Sequence, residues 1–199
     1  GSEGVELAVF TFKNNPFRFY NRDTKMVFTF SERLRIFEEL GVDVVIGKDM
    51  DADYAKTTKE DFISGIFNSF KIKAVVCGAD YTFGAGGNGN VDYLKKRAEE
   101  AGISLTVVPY FRTDNGDKIS SNLIRKCLSD GQIRRANQLM GRPYMISGDV
   151  VHCFGRGREF GFPTANLFVP EEKATLREGV YATGVEVDGY TYDAITNIG

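Results

Sequence analysis

DVVIGKDMDADYAKTTKEDFISGIFNSFKIKAVVC, from Asp43 to Cys77, is the stretch that decides the fold. Asp43 to Gly47 (DVVIG) reads as a short apolar strand and Ala74 to Cys77 (AVVC) as a second, buried one. Between them Thr58 to Phe70 has the pattern of an amphipathic helix, with Thr58 as its N-cap. Upstream, Glu6 to Phe12 (ELAVFTF) is another strand, ended by a polar loop with Asn14, Asn15 and Pro16. A helix then opens at Ser31-Glu32-Arg33-Leu34, with Leu34, Phe37 and Leu40 on one face and Gly41 as its stop. Downstream come a glycine-rich loop, Gly84 to Gly89, a charged helix around Tyr93 to Ala101, and a strand from Ser104 to Val108. Short apolar strands alternating with helices predict an α/β unit, a parallel sheet covered on both faces.

The pattern changes after Gly141-Arg142-Pro143. Tyr144 to His152, Gly179 to Val187 and Tyr190 to Thr196 read as β segments separated by Gly and Pro, the first part of an antiparallel barrel. The last two form a hairpin turning at Asp188-Gly189. The boundary is therefore expected between residues 1–141 and 142–199. A barrel stopping at Asn197-Ile198-Gly199 would leave an open edge, so further strands are expected beyond it.

Composition narrows the functions. With 199 residues, 42% of them apolar, the chain can bury one good core or two small ones. The net charge of -2 argues against a general nucleic-acid surface. The charge is uneven, however: Lys118, Arg125, Lys126, Arg134, Arg135, Arg142, Arg156 and Arg158 face only Asp130 and Asp149, so residues 118–158 are net +6 and the remainder net -8. A cationic segment in an acidic chain suits a phosphorylated small molecule, although solvated helix faces account for several of these residues. Cys77, Cys127 and Cys153 are scattered and odd in number, which suggests a reducing cytoplasm. No apolar run approaches the ~20 residues of a membrane span, and the start lacks a secretory pattern. A single histidine, His152, excludes in-chain chemistry that needs two.

Three segments carry chemistry. Gly78-Ala79-Asp80-Tyr81-Thr82-Phe83-Gly84 follows the strand AVVC, and loops at the carboxyl ends of parallel strands form the ligand crevice. An acidic group and two aromatics there suit a polar ring system; an ordinary strand-to-loop transition has the same residues. In Lys118-Ile119-Ser120-Ser121-Asn122-Leu123-Ile124-Arg125, Ser120 or Ser121 caps a helix whose free N–H groups attract phosphate, with Arg125 one turn on. A capped amphipathic helix with an incidental arginine explains it equally well. In GRGREFGFPTANL, Gly155 to Leu167, the glycines allow close approach to phosphate, and Arg156 and Arg158 add charge. The oxygens of Thr164 and Asn166 are hard ligands suited to Mg²⁺. A glycine-rich β-turn would explain the glycines but not Pro163-Thr164-Ala165-Asn166.

These segments carry a resemblance. GADYTFG at Gly78 to Gly84, ISSNLIR at Ile119 to Arg125 and GREFGFPTAN at Gly157 to Asn166 are similar, in order and spacing, to motifs of the bacterial bifunctional riboflavin kinase and FMN adenylyltransferase (FAD synthetase) family. GRPY at Gly141, GVY at Gly179 and NIG at Asn197 agree as well. The resemblance implies a Rossmann-like nucleotidyltransferase domain that transfers AMP from ATP to FMN. After it would come the start of a riboflavin kinase barrel that phosphorylates riboflavin, with ATP and Mg²⁺ in both steps. It places Ser120, Ser121, Asn122 and Arg125 at the ATP phosphates, with Ser121 and Arg125 in the catalytic role and Asn122 where the family usually has threonine. It places Asp80 against the flavin, with Tyr81 and Phe83 shaping that pocket, Thr164 and Asn166 at Mg²⁺ and phosphate, and Arg156 and Arg158 on the nucleotide. Small molecules are the implied partners, with neither nucleic acid nor membrane.

Three departures go with it. The family's HxGH loop would precede this chain's first residue, and its kinase glutamate would follow Gly199; without that base a 10²–10⁴-fold loss is the usual order. Cys153 stands for a usual glycine. The chain by itself is therefore expected to be impaired at both sites. A competing class is a catalytically degenerate flavin- or nucleotide-binding module, and an HxGH loop upstream of Val5 would separate the two.

Overall fold

A computed structural model describes residues 4–20, 23–151 and 164–199. It divides into two compact units that do not follow chain order: residues 1–23 with 43–119, and residues 24–42 with 120–199.

In the first unit β1 (Ala8–Phe12) pairs in parallel with β2 (Val44–Lys48), Ala8 facing Val44 and Phe12 facing Lys48. Likewise β3 (Ala74–Gly78) pairs in parallel with β4 (Ser104–Val108). The strands lie where expected, but β3 is not the buried strand read from AVVC, since Val76 is exposed, and among the described residues the four form two separate two-stranded sheets. Thr58 caps the helix Lys59–Ser69 as its sequence predicts, its hydroxyl accepting from the Asp61 N–H at 3.0 Å. The helix Val91–Glu100 is capped by Asn90. These two helices supply Phe62, Ile63 and Leu94 to a core that also holds Phe83. Phe10 of β1 meets Phe62 edge-on at 5.5 Å, which ties the first strand pair to that core.

The second unit contains the short segment 24–42 and everything after Ile119. Its helix Phe30–Glu39 starts one residue earlier than Ser31, because Thr29 and Glu32 form a capping box. Leu34 and Leu40 are exposed, and the fully buried residue of this helix is Glu32. Ser121–Ser129 and Ile133–Met140 form a pair of helices that bury Cys127, Leu128 and Ala136 against Ala174. The second ends at Gly141 in the left-handed conformation.

The β segments that follow are two antiparallel pairs, β5 (Val150–Val151) with β6 (Asn166–Leu167), and β7 (Gly179–Val187) with β8 (Tyr190–Ile198). The hairpin turn is Asp188-Gly189, both with positive φ as a type I′ turn requires. From Tyr144 to Asp149 there is no strand, contrary to the sequence expectation. Side chains take backbone donors there: Asn137 accepts from the Tyr144 N–H at 2.8 Å and Glu32 from the Ser147 N–H at 3.0 Å. Among the described residues these sheets do not close into a barrel, and no helix is long and apolar enough to cross a membrane.

Candidate functional site

The first candidate group lies where β3 ends. Asp80 is exposed beyond the strand, and its Oδ2 accepts from Lys118 Nζ at 2.6 Å. The hydrogen bond from that ammonium holds the Asp80 carboxyl below the usual carboxylate range. The same Nζ sits 3.9 Å from the centre of the Tyr110 ring, a cation–π contact. The loop is anchored through the Ala79 N–H, which donates to the Val108 carbonyl at the end of β4. Asp80 thus presents a fixed anion, paired with a cation and beside an aromatic ring.

Tyr81 and Phe83 have different surroundings. Their rings stack at 5.5 Å, but Phe83 is only 6% exposed and belongs to the core with Phe62, Ile63 and Leu94. Tyr81 is half-buried, and burial, with smaller contributions from Tyr54 and Cys77, pushes its phenol up to about 12. Phe83 anchors the loop in that core, and its backbone exchanges hydrogen bonds with Gly89. The sequence alone does not bring Lys118 or Tyr110 to this group, although Lys118 opens the segment that carries Ser120 and Ser121.

The second group is the start of the helix Ser121–Ser129. Ser120 is the cap, its hydroxyl accepting from the Leu123 N–H at 3.3 Å. Ser121 and Asn122 are exposed in the first turn, where free N–H groups collect. Arg125 is half-buried, donating to the Lys25 carbonyl at 3.1 Å and to the Asn122 side-chain oxygen. Burial lowers its pKa, yet a guanidinium stays charged. The Asn122 contact has the helical spacing of a local pair, whereas the Lys25 carbonyl, 100 residues away, leaves no sequence signal.

In the third group Asn166 lies in β6 opposite Val151, with Thr164 two residues before it; both are exposed. Arg156 and Arg158 lie outside the described residues. Among the described residues no three His, Cys, Asp or Glu side chains converge as a metal cage would need.

Comparison with known proteins identifies the family. The FAD synthetase family profile matches residues 1–123, and the riboflavin kinase profile matches residues 140–199. The chain belongs to the FAD synthetase family. It is 32% identical over 202 residues to the bifunctional riboflavin kinase/FMN adenylyltransferase of Listeria monocytogenes, covering 100% of this chain and 64% of that protein. The Bacillus subtilis protein of the same description is 32% identical over 99% of this chain and 63% of its own length, and the Escherichia coli K12 protein 37% identical over 77% and 49%. A crystal structure described as a macrolide-efflux protein from Streptococcus pneumoniae superposes with a TM-score of 0.83 at 30% identity, covering 98% of this chain and 64% of that one. This family member therefore spans less than two thirds of the length of these relatives.

Proposed function

We propose that the protein acts in FAD biosynthesis, phosphorylating riboflavin to FMN and adenylylating FMN to FAD. The observation that carries the reading is the pair of family matches in this order, one enclosing Asp80, Ser120 and Ser121, the other Thr164 and Asn166. In phosphorylation the ribityl hydroxyl oxygen attacks the γ-phosphorus and gives up its proton to a base or to water, the bond to the β,γ-bridging oxygen breaks, and ADP leaves. In adenylylation an FMN phosphate oxygen attacks the α-phosphorus and pyrophosphate leaves. Both reactions need positioning and charge neutralisation more than covalent help.

Ser121 and Arg125 are assigned to the ATP phosphates, Ser120 and Asn122 to the shape of that turn, and Asp80 to a polar edge of the flavin. Arg156 and Arg158 are assigned to the nucleotide of the kinase step. Mg²⁺ keeps several waters and shares phosphate oxygens, so it needs only one or two protein ligands, and the exposed oxygens of Thr164 and Asn166 fit that demand. When bound it would neutralise charge developing on the phosphates. The finer architecture follows the same reading: a Rossmann-like nucleotidyltransferase domain through about Gly141, then the start of a kinase barrel. The left-handed end of a helix at Gly141 and the second family match from residue 140 support that boundary.

Incubating the complete gene product with riboflavin, ATP and MgCl₂ and separating the flavins tests the reading. FMN appearing first and FAD second is expected. Flavin binding with neither product would mean a degenerate binding module instead.

A further inference from the structure

Glu32 is 2% exposed, and each of its carboxylate oxygens accepts two hydrogen bonds. Oε2 takes the Thr29 N–H at 2.8 Å and Lys173 Nζ at 2.5 Å. Oε1 takes the Ser147 N–H at 3.0 Å and the Ser147 hydroxyl at 3.1 Å. Four donors fill the acceptor capacity of a carboxylate. Lys173, 1% exposed, also donates to the Val27 carbonyl at 2.8 Å, and its ammonium lies over the Tyr144 ring at 4.4 Å.

The partners of the two oxygens flank the β5–β6 pair along the chain. Ser147 is three residues before β5, and Lys173 is six residues after β6. Backbone bonds continue the connection: Met26 donates to the Glu172 carbonyl at 2.6 Å, Ala174 donates to the Met26 carbonyl at 2.8 Å, and Phe168 donates to the Asp149 carbonyl at 2.9 Å. A Cβ on Gly148 would fall 2.1 Å from the Phe168 carbonyl oxygen, so the two stretches touch through backbone. Glu32 therefore grips the chain on both sides of the strand pair that carries Asn166. A buried ion pair seldom adds net stability over a well-packed apolar pair; what this one supplies is a fixed geometry.

We propose that Glu32 is a positioning residue for riboflavin phosphorylation: from within the FAD synthetase match, it sets through Ser147 and Lys173 the β5–β6 pair that presents Thr164 and Asn166. The proposal rests on the kinase reading above. It makes a helix of one family match part of the apparatus of the other.

The test uses the complete gene product with Ser147→Ala, Ser147→Thr, Glu32→Gln and the double variant Glu32→Gln with Lys173→Met. Ser147 is exposed, so Ser147→Ala is compatible with folding, and the double variant removes both buried charges together. Rates of phosphorylation and adenylylation are measured against MgATP, with amide exchange followed in residues 144–151 and 164–178. Misplacement by about an ångström costs up to about a hundredfold. Glu32→Gln and the double variant are expected to lose about tenfold or more in kcat/KM for phosphorylation through a raised KM, with adenylylation within about twofold. Ser147→Ala should lose less, and Ser147→Thr should recover. A folding defect alone would lower kcat of both activities and leave KM unchanged, which overturns the proposal. If the wild type phosphorylates nothing, the kinase reading fails and amide exchange decides. Faster exchange confined to both stretches keeps the clamp, and unchanged exchange removes it.

Discussion

Lys118 Nζ lies 2.6 Å from Asp80 Oδ2, joining two loops 38 residues apart in the chain, and caps the Tyr110 ring from 3.9 Å. Because Asp80 is held below the usual range by this hydrogen bond, it stays ionised to lower pH than a free aspartate near 3.9. A depressed carboxyl contributes stability above its unfolded pKa and loses it as pH falls through the lower folded value. Lys118→Met should return the Asp80 titration to the ordinary range in a ¹³C carboxyl NMR experiment. Both side chains are exposed, so the melting temperature should barely move, as a surface pair is worth about 0–1 kcal/mol. FMN affinity should fall several-fold; unchanged affinity would remove Asp80 from the flavin site.

Arg125→Ala should damage adenylyl transfer and spare phosphorylation. The guanidinium is held by the Lys25 carbonyl and the Asn122 side chain, so it is preorganised for a phosphate. Losing one such donor costs on the order of a hundredfold in rate. The two protein hydrogen bonds add about 0.5–1.5 kcal/mol each to stability, so the variant should still fold. In a coupled assay FMN should accumulate while FAD falls. An equal drop in both products would place Arg125 in structure rather than in chemistry.

The local features were the legible ones. Thr58 as a cap and Asp188-Gly189 as a type I′ turn depend on side chains acting within a few residues, and both are present as read. The four strands of the first unit are in place as well, and of the two serines offered as a cap it is Ser120 that takes the role. In the helix from Phe30 the apolar spacing puts Leu34, Phe37 and Leu40 on one face, but Leu34 and Leu40 are exposed and the buried residue is Glu32. Nothing near Glu32 announces this, since its partners Ser147 and Lys173 lie 115 and 141 residues away. Phe83, expected beside the flavin, packs in the core with Phe62, Ile63 and Leu94, a placement that an aromatic beside a loop does not reveal by pattern alone.

Lys173→Ala should be the most destabilising single change among these residues. Burial pushes the lysine pKa down, and the Glu32 carboxylate offsets part of that effect. Deleting the ammonium leaves a buried carboxylate with one donor fewer, a loss of about 3–5 kcal/mol for a broken buried pair. Urea denaturation should show the midpoint falling with little change in slope. Glu32→Gln with Lys173→Met should lose clearly less than the single change, since it leaves no uncompensated charge. If the double variant is as unstable as Lys173→Ala, the surrounding packing rather than the charge pair holds this region.

The assignment of Thr164 and Asn166 can be separated from stability, because both are exposed and Asn166 contributes to β6 through its backbone. Asn166→Leu keeps a side chain of similar size on that strand and should leave the melting temperature within a few degrees, surface changes being usually within about ±0.5 kcal/mol. It removes the hard oxygen suited to Mg²⁺, so riboflavin phosphorylation should be largely lost while adenylylation persists. Asn166→Asp replaces a neutral oxygen with a charged one, and its signature should be a shifted Mg²⁺ dependence rather than a uniform loss. Thr164→Ala should behave like a weaker version of Asn166→Leu, because one of two candidate ligands remains. Rates measured over a range of MgCl₂ concentrations, with melts on the same samples, distinguish these patterns. If Thr164→Ala and Asn166→Leu both phosphorylate riboflavin at the wild-type rate at every Mg²⁺ concentration, these two residues are strand positions and the metal is held elsewhere.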